Sequence, residues 1–160
     1  MALTQVINSG LNLSAIPTGA IKYIGTAELS ANTGLTTTST SYTSTGATIT
    51  IPSATVATLS SIIIFAEGAI RINKNTHAIA DVQIQRTAPS AVTSYQANVV
   101  GVVSGGSEIY DQAGSIIYDT NLSTGDHTYT VFIRKASGQS TYAGNIYYRN
   151  SGWRLIALGI

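Results

Sequence analysis

The sequence predicts an all-β fold, an antiparallel β-sandwich or jelly roll, on three observations. From Thr36 to Thr45 every residue except Tyr42 is Ser or Thr, and the run passes into the alternating Ala47-Thr48-Ile49-Thr50-Ile51 and the apolar block Ile62-Ile63-Ile64-Phe65. Branching at Cβ restricts χ1 and favours the pleated backbone over the helix. Turn-forming clusters then recur at about the 8–12-residue spacing of sandwiches and barrels. No segment carries the 3.6-residue apolar stripe of a helix laid on a core.

Residues 1–35 are poor in charge and broken by Gly10, Pro17, Gly19, Gly25 and Gly34. They are expected to form an N-terminal arm that docks elsewhere, with Leu11, Leu13, Ile16 and Ile21 as anchoring residues; an ordinary first strand folded back on the domain stays open as the alternative. Residues 36–160 form the expected sandwich domain. Its strands are placed at 41–51, 60–73, 77–86, 94–103, 107–118, 127–136, 141–149 and 153–160. Between them lie the turns Asn73-Lys74-Asn75, Ala88-Pro89-Ser90, Ser104-Gly105-Gly106-Ser107, Thr124-Gly125-Asp126, Ser137-Gly138-Gln139 and Asn150-Ser151-Gly152.

Side chains alternate across a strand, so each strand has two readable faces. In the 62–72 segment Ile62, Ile64, Ala66, Gly68, Ile70 and Ile72 make the core face. The opposite face begins with Ile63 and Phe65 before Glu67 and Arg71, too apolar at that end for water. The next strand sets Ala78, Ala80, Val82 and Ile84 against a mixed face that includes Ile79. Ile63, Phe65 and Ile79 are therefore the candidate subunit-interface residues, with cover by the arm of the same chain as the alternative.

Composition agrees with assembly. Charged residues make up 9% of the 160 and apolar ones 44%, with a mean hydropathy of +0.21, against roughly 25% charged in an average soluble domain. No window reaches the ~18 uninterrupted apolar residues of a membrane helix, so a homo-oligomer is expected rather than a membrane protein. The net charge is +1 and the eight Lys and Arg residues are scattered, which argues against nucleic acid as a partner. Cysteine is absent, removing disulfides and thiolate metal sites. The opening Met1-Ala2-Leu3-Thr4-Gln5 lacks the charged and long apolar regions of a secretory signal, so synthesis and assembly in the cytosol are expected. The sequons at Asn12 and Asn121 then carry no weight.

Material for catalysis is thin, and no catalytic residue or cofactor is expected. His77 and His127 are the only imidazoles, each at a strand start where satisfying a turn is the common role. Carboxylate pairs for glycoside cleavage, Glu67 with Asp81 or Glu108 with Asp111, are more simply read as ion-pair partners of nearby arginines such as Arg71 and Arg86. Asp119-Thr120-Asn121-Leu122-Ser123-Thr124-Gly125-Asp126 spaces oxygen ligands at alternate positions, as a Ca²⁺ loop does. It lacks the correctly placed Gly and the closing Glu, so an Asx turn is the expected reading and no metal is assigned. Tyr142, Tyr147, Tyr148 and Trp153, with Arg149 and Arg154 among them, have the composition of a surface that stacks on sugars, or equally of a subunit interface.

Thr40 to Pro52 followed by Ile62-Ile63-Ile64-Phe65-Ala66 resembles the opening strands of jelly-roll domains in bacteriophage virion proteins, notably of marine and cyanobacterial phages. His127 to Arg134 and Trp153 to Ile160 resemble the last two strands of the same domains, so the resemblance covers about 36–160. It implies a virion structural protein at the particle surface, forming homotrimers with jelly-roll or tumour-necrosis-factor-like sandwiches and assembled in the host cytoplasm with capsid or tail proteins. Capsid decoration or cement is the favoured role, because so short a chain without heptads leaves little for a fibre shaft. The alternative it implies is a tail-fibre or adhesin module that binds host glycans.

Overall fold

The computed structural model describes residues 19–29, 36–37, 39–72, 77–93, 97–102, 109–135 and 146–160. Among these described residues ten strands follow in chain order: β1 (Lys22–Leu29), β2 (Thr36–Thr37), β3 (Thr43–Ile51), β4 (Ile62–Ile72), β5 (His77–Ala88), β6 (Val92–Thr93), β7 (Ala97–Val102), β8 (Ile109–Asp119), β9 (His127–Lys135) and β10 (Ile146–Gly159). One four-residue helical turn, α1 (Ser53–Val56), follows Pro52, whose fixed φ suits a helix start. The Ser53 N–H donates to Asp126 Oδ1 at 2.8 Å, which ties this turn to the loop before β9.

The strands form two antiparallel sheets. The first runs β1-β10-β4-β8 with β2 on β10; the second runs β3-β9-β5, with β6 and β7 both pairing β5. Setting the two-residue strands aside, every connection except β5 to β7 crosses from one sheet to the other. This is jelly-roll connectivity, and the chain is an antiparallel β-sandwich as expected.

The alternation read from the sequence sets the core. Ile62, Ile64, Ala66 and Ile70 of β4 are buried and face Val82 and Ile84 of β5, with Ile49, Ile51, Val131, Ile133, Leu155 and Ala157 filling the layer between the sheets. Trp153 enters that layer at 1% exposure, over Gly68: a Cβ built on Gly68 would lie 2.5 Å from the indole Cδ2. Only glycine fits beneath this ring.

The structure redraws two boundaries. Residues 22–29, assigned to the arm, form β1 and pair along β10 from Lys22↔Gly159 to Leu29↔Trp153, with Ile24, Ala27 and Leu29 packed on the core. The first strand among the described residues thus lies inside the expected arm, and 36 does not open the sandwich. Leu11, Leu13 and Ile16 lie outside the described residues, and Ile21 stands 63% exposed just before β1. The second change concerns Asn150-Ser151-Gly152, which is no turn between two strands. The β10–β4 register shifts between Tyr148 and Trp153, and Gly152 takes φ +65°, so the extra residues are absorbed as a bulge in one long strand.

Candidate functional site

Cross-strand register builds a broad apolar surface on the outer face of the first sheet. On β4, Ile63 stands opposite Tyr118 of β8 and Leu158 of β10, and Leu158 stands opposite Tyr23 of β1. One row along, Phe65 stands opposite Ile116 and Ile156, and Ile156 opposite Thr26. Seven of these eight side chains are aliphatic or aromatic. Tyr118 (61%), Tyr23 (51%), Ile116 (50%) and Phe65 (41%) are strongly exposed, while Ile63, Ile156 and Leu158 are half-buried by their neighbours.

Two local features complete this face. The β1–β10 register shifts between Tyr23 and Gly25, and this bulge lets Tyr23 and Thr26 both face outward while Ile24 turns to the core. The next row is charged: Arg154 lies between Glu28 (Nε to Oε1, 3.8 Å) and Glu67 (Nη1 to Oε1, 4.0 Å), all three exposed. Exposed pairs at such distances contribute little to stability, so the row acts as a polar border.

The outer face of the second sheet is more polar, with the half-buried Phe132 opposite Ser44 and Gln83 as its aromatic member. Thr48 Oγ1 meets Thr130 Oγ1 and Thr50 Oγ1 meets Thr128 Oγ1, both at 3.0 Å, and Gln85 Nε2 donates to Gln83 Oε1 at 2.8 Å. Asp81, 1% exposed, accepts from Arg134 Nε at 2.8 Å, and the Arg134 guanidinium lies 4.4 Å from the centre of the Tyr42 ring. Desolvation raises the Tyr42 phenol above its ordinary pKa, against the lowering effect of Arg134.

A buried polar network closes one end of the sandwich. Arg86 is fully buried; its Nη1 donates to Asp119 Oδ2 at 2.7 Å and to the Asn121 carbonyl at 2.8 Å, and its Nε and Nη2 donate to Ser90 O and Oγ. The Tyr129 hydroxyl donates to the same Asp119 Oδ2 at 2.9 Å, and the Asn121 N–H to Oδ1 at 3.0 Å. Burial first, and then the hydrogen bond to Asp119, push the Tyr129 phenol far above its ordinary value. Strands of both sheets are joined here.

That network occupies the carboxylates of the candidate cation loop with protein donors. Both Asp119 oxygens accept from protein donors, Asp126 Oδ1 is taken by the Ser53 N–H, and the bond from the Asn121 N–H is the Asx turn of the simpler expectation. Nor do the carboxylates pair as candidates for glycoside cleavage. Glu67 points outward from the first sheet and Asp81 is buried in the second, paired with Arg134 rather than Arg86. Glu108 lies outside the described residues. His127 is buried with Nδ1 3.0 Å from the Gly125 carbonyl, the turn-satisfying role, and His77 opens β5.

Other expectations are divided by the fold. Ile63 and Phe65 share the apolar face, but Ile79 belongs to β5 of the other sheet, so the three do not form one surface. Trp153 is core, which removes it from any exposed aromatic cluster; Tyr147 and Tyr148 of β10 pair with Arg71 and Ile70 of β4, and Tyr142 lies outside the described residues. Tyr23, Ile116, Tyr118, Ile156 and Leu158 were missed. Ile116-Ile117-Tyr118 and Leu155 to Leu158 are apolar at both strand phases, the same signal that singled out Ile63 and Phe65.

Two grooves open beside α1, of about 370 and 520 Å³, the first between β1 and β3 and the second against the 122–125 loop. Neither is lined by a carboxylate or an imidazole. The outer face of the first sheet is therefore the best-developed candidate site.

No protein-family model matches the chain, and no curated protein matches it. Solved structures do. The infectious bursal disease virus VP2 subviral particle matches at 11% identity and TM-score 0.46, over 88% of this chain and 38% of that one. The Eiger TNF of S. frugiperda matches at 10% identity and TM-score 0.37, over 86% and 92%. Tailspike protein 4 of bacteriophage CBA120, in its enzymatically active domain, matches at 14% identity and TM-score 0.27, over 83% and 19%. The chain spans about a third to two-fifths of the viral chains that head these matches.

Proposed function

We propose that the chain is a non-enzymatic structural subunit of a bacteriophage-type virion, a small surface protein that self-associates and seats on the particle through the segment before β1. Capsid decoration is favoured over a tail-fibre tip. One observation carries the reading: the outer face of the first sheet offers two rows of apolar side chains to solvent, bordered by the charged row Glu28, Arg154 and Glu67. Such a face suits a subunit that spends its working life against other protein. The sequence resemblance to phage jelly-roll domains supplies the setting. The mechanism is adhesive: apolar area removed from water, at about 25 cal/mol per Å², holds subunits together, and many copies reinforce a shell.

Binding to undecorated capsids purified from the same virus tests this reading. The full chain is expected to bind saturably, and a chain beginning at Gly19, which keeps β1, to fold without binding. No binding by the full chain would sink the decoration role. A saturable signal on a glycan array would then move the tail-fibre or adhesin reading forward, although burial of Trp153 has already removed the largest ring from that surface.

A further inference from the structure

Resting on the reading of the chain as an assembly subunit, we infer that the partner of the apolar face is the same face of a second copy, in a two-fold, sheet-on-sheet contact. Of the five large apolar side chains that stand strongly exposed among the described residues, Tyr23, Phe65, Ile116 and Tyr118 belong to this face, and the fifth, Ile21, stands just before β1. Together with the half-buried Ile63, Ile156 and Leu158 they offer on the order of 600 Å², close to the roughly 800 Å² that each partner gives a standard stable interface. The area suffices for a specific pair.

Symmetry decides between arrangements. A head-to-tail ring, the expected trimer included, sets a surface against a different surface of its neighbour. Here the opposite broad surface is the outer face of the second sheet, where Thr48, Thr50, Thr128, Gln85 and Arg134 surround a half-buried Phe132, and an apolar sheet laid against it would take these polar groups from water while offering them no new partner. A two-fold contact brings apolar side chains to apolar side chains. Sheets pack face to face at about 10 Å, a separation that interdigitated Ile, Phe and Tyr side chains fill. The row of Glu28, Arg154 and Glu67 would lie at the rim, where charge stays hydrated.

Because the chain has no cysteine, introduced ones report cleanly. Sedimentation equilibrium of the full chain is expected to give a dimer, or an even-numbered assembly built from dimers. I116K and Y118E, whose side chains face outward and should leave the far-ultraviolet circular dichroism spectrum near that of the parent, are expected to weaken dimerisation at least tenfold. Under mild oxidation the single variants F65C and I116C are tested against T48C on the other sheet. A covalent dimer from at least one of the first two and none from T48C supports the two-fold contact, since a residue near a two-fold axis meets its own copy. A trimer, a monomer at micromolar concentration, or cross-linking through T48C alone overturns it. Capsid binding is scored separately, so a trimer that binds capsids defeats the two-fold contact and leaves the virion role standing, whereas a dimer that ignores capsids does the reverse.

Discussion

Asp119 Oδ2 accepts from two buried donors at once, Arg86 Nη1 at 2.7 Å and the Tyr129 hydroxyl at 2.9 Å. Arg86 and Tyr129 stand on neighbouring strands of the second sheet, while Asp119 ends β8 in the first. The carboxylate therefore bolts the two layers together. Four guanidinium donor contacts are satisfied within the protein, so the charge is compensated where it lies.

Removing one partner should be far worse than removing both. D119A leaves an unpaired guanidinium in the interior and is expected to cost about 3–5 kcal/mol, the usual penalty for breaking a buried pair. The double variant R86M/D119A should recover part of that loss. Urea unfolding followed by circular dichroism checks both, and a single variant within 1 kcal/mol of the parent would contradict the compensated-charge account.

Alkaline stability should carry the signature of Tyr129. Its phenol is raised, by burial and then by the bond to Asp119, so the folded state keeps a proton that the unfolded chain releases near pH 10. The contribution is therefore complete below about pH 10 and falls as pH rises further. Y129F is expected to be less stable than the parent by about 1.5–3 kcal/mol at pH 8, the value of a bond to a charged acceptor. That gap should narrow between pH 10 and 11.5. Unfolding curves at several pH values measure it, and a gap that widened with pH would reverse the sign.

Much of the fold is legible because a strand has period two. Ile62, Ile64 and Ala66 are buried as their phase requires, and Val82 and Ile84 meet them from the other sheet. The same rule, applied more strictly, separates Asp81 from Arg86. An odd spacing puts them on opposite faces of β5, and their real partners, Arg134 and Asp119, are 53 and 33 residues away. Irregularities hid the rest. The bulge at Tyr23 and Gly25 breaks the alternation that would have marked β1, and the bulge ending at Gly152 imitates a turn. Trp153 reads as a surface residue beside Arg154, yet it shares its phase with Leu155 and Ala157, both fully buried.

The loop from Asp119 to Asp126 should be indifferent to calcium. Its two carboxylates already serve Arg86, Tyr129 and the N–H groups of Asn121 and Ser53, and a cation would have to displace those donors. Millimolar CaCl₂ or a chelator is expected to leave the melting temperature within about 1 °C, whereas saturating a site to 100 times its Kd would add about 2.7 kcal/mol. A rise of several degrees with calcium would restore the cation loop.

Gly68 and Trp153 supply the most local test of the core. A methyl at Gly68 would overlap the indole, 2.5 Å from Cδ2 and 2.8 Å from Cε2 and Cε3, and a ring clamped between two sheets has little room to retreat. At Gly159 the nearest atoms to an added methyl are the Leu59 Cδ2 and Cδ1 at 2.6 and 2.8 Å, the far end of a side chain that can rotate away. G68A is therefore expected to cost about 1–3 kcal/mol or more, and G159A distinctly less. Trp153 is the only tryptophan, so its emission reads this site directly. The parent should emit at short wavelength and resist acrylamide, and G68A should shift the emission red and admit quencher before global unfolding. Equal costs for the two variants, or a parent indole already open to quencher, would place the ring outside the core and return it to the surface as a candidate for stacking on sugars.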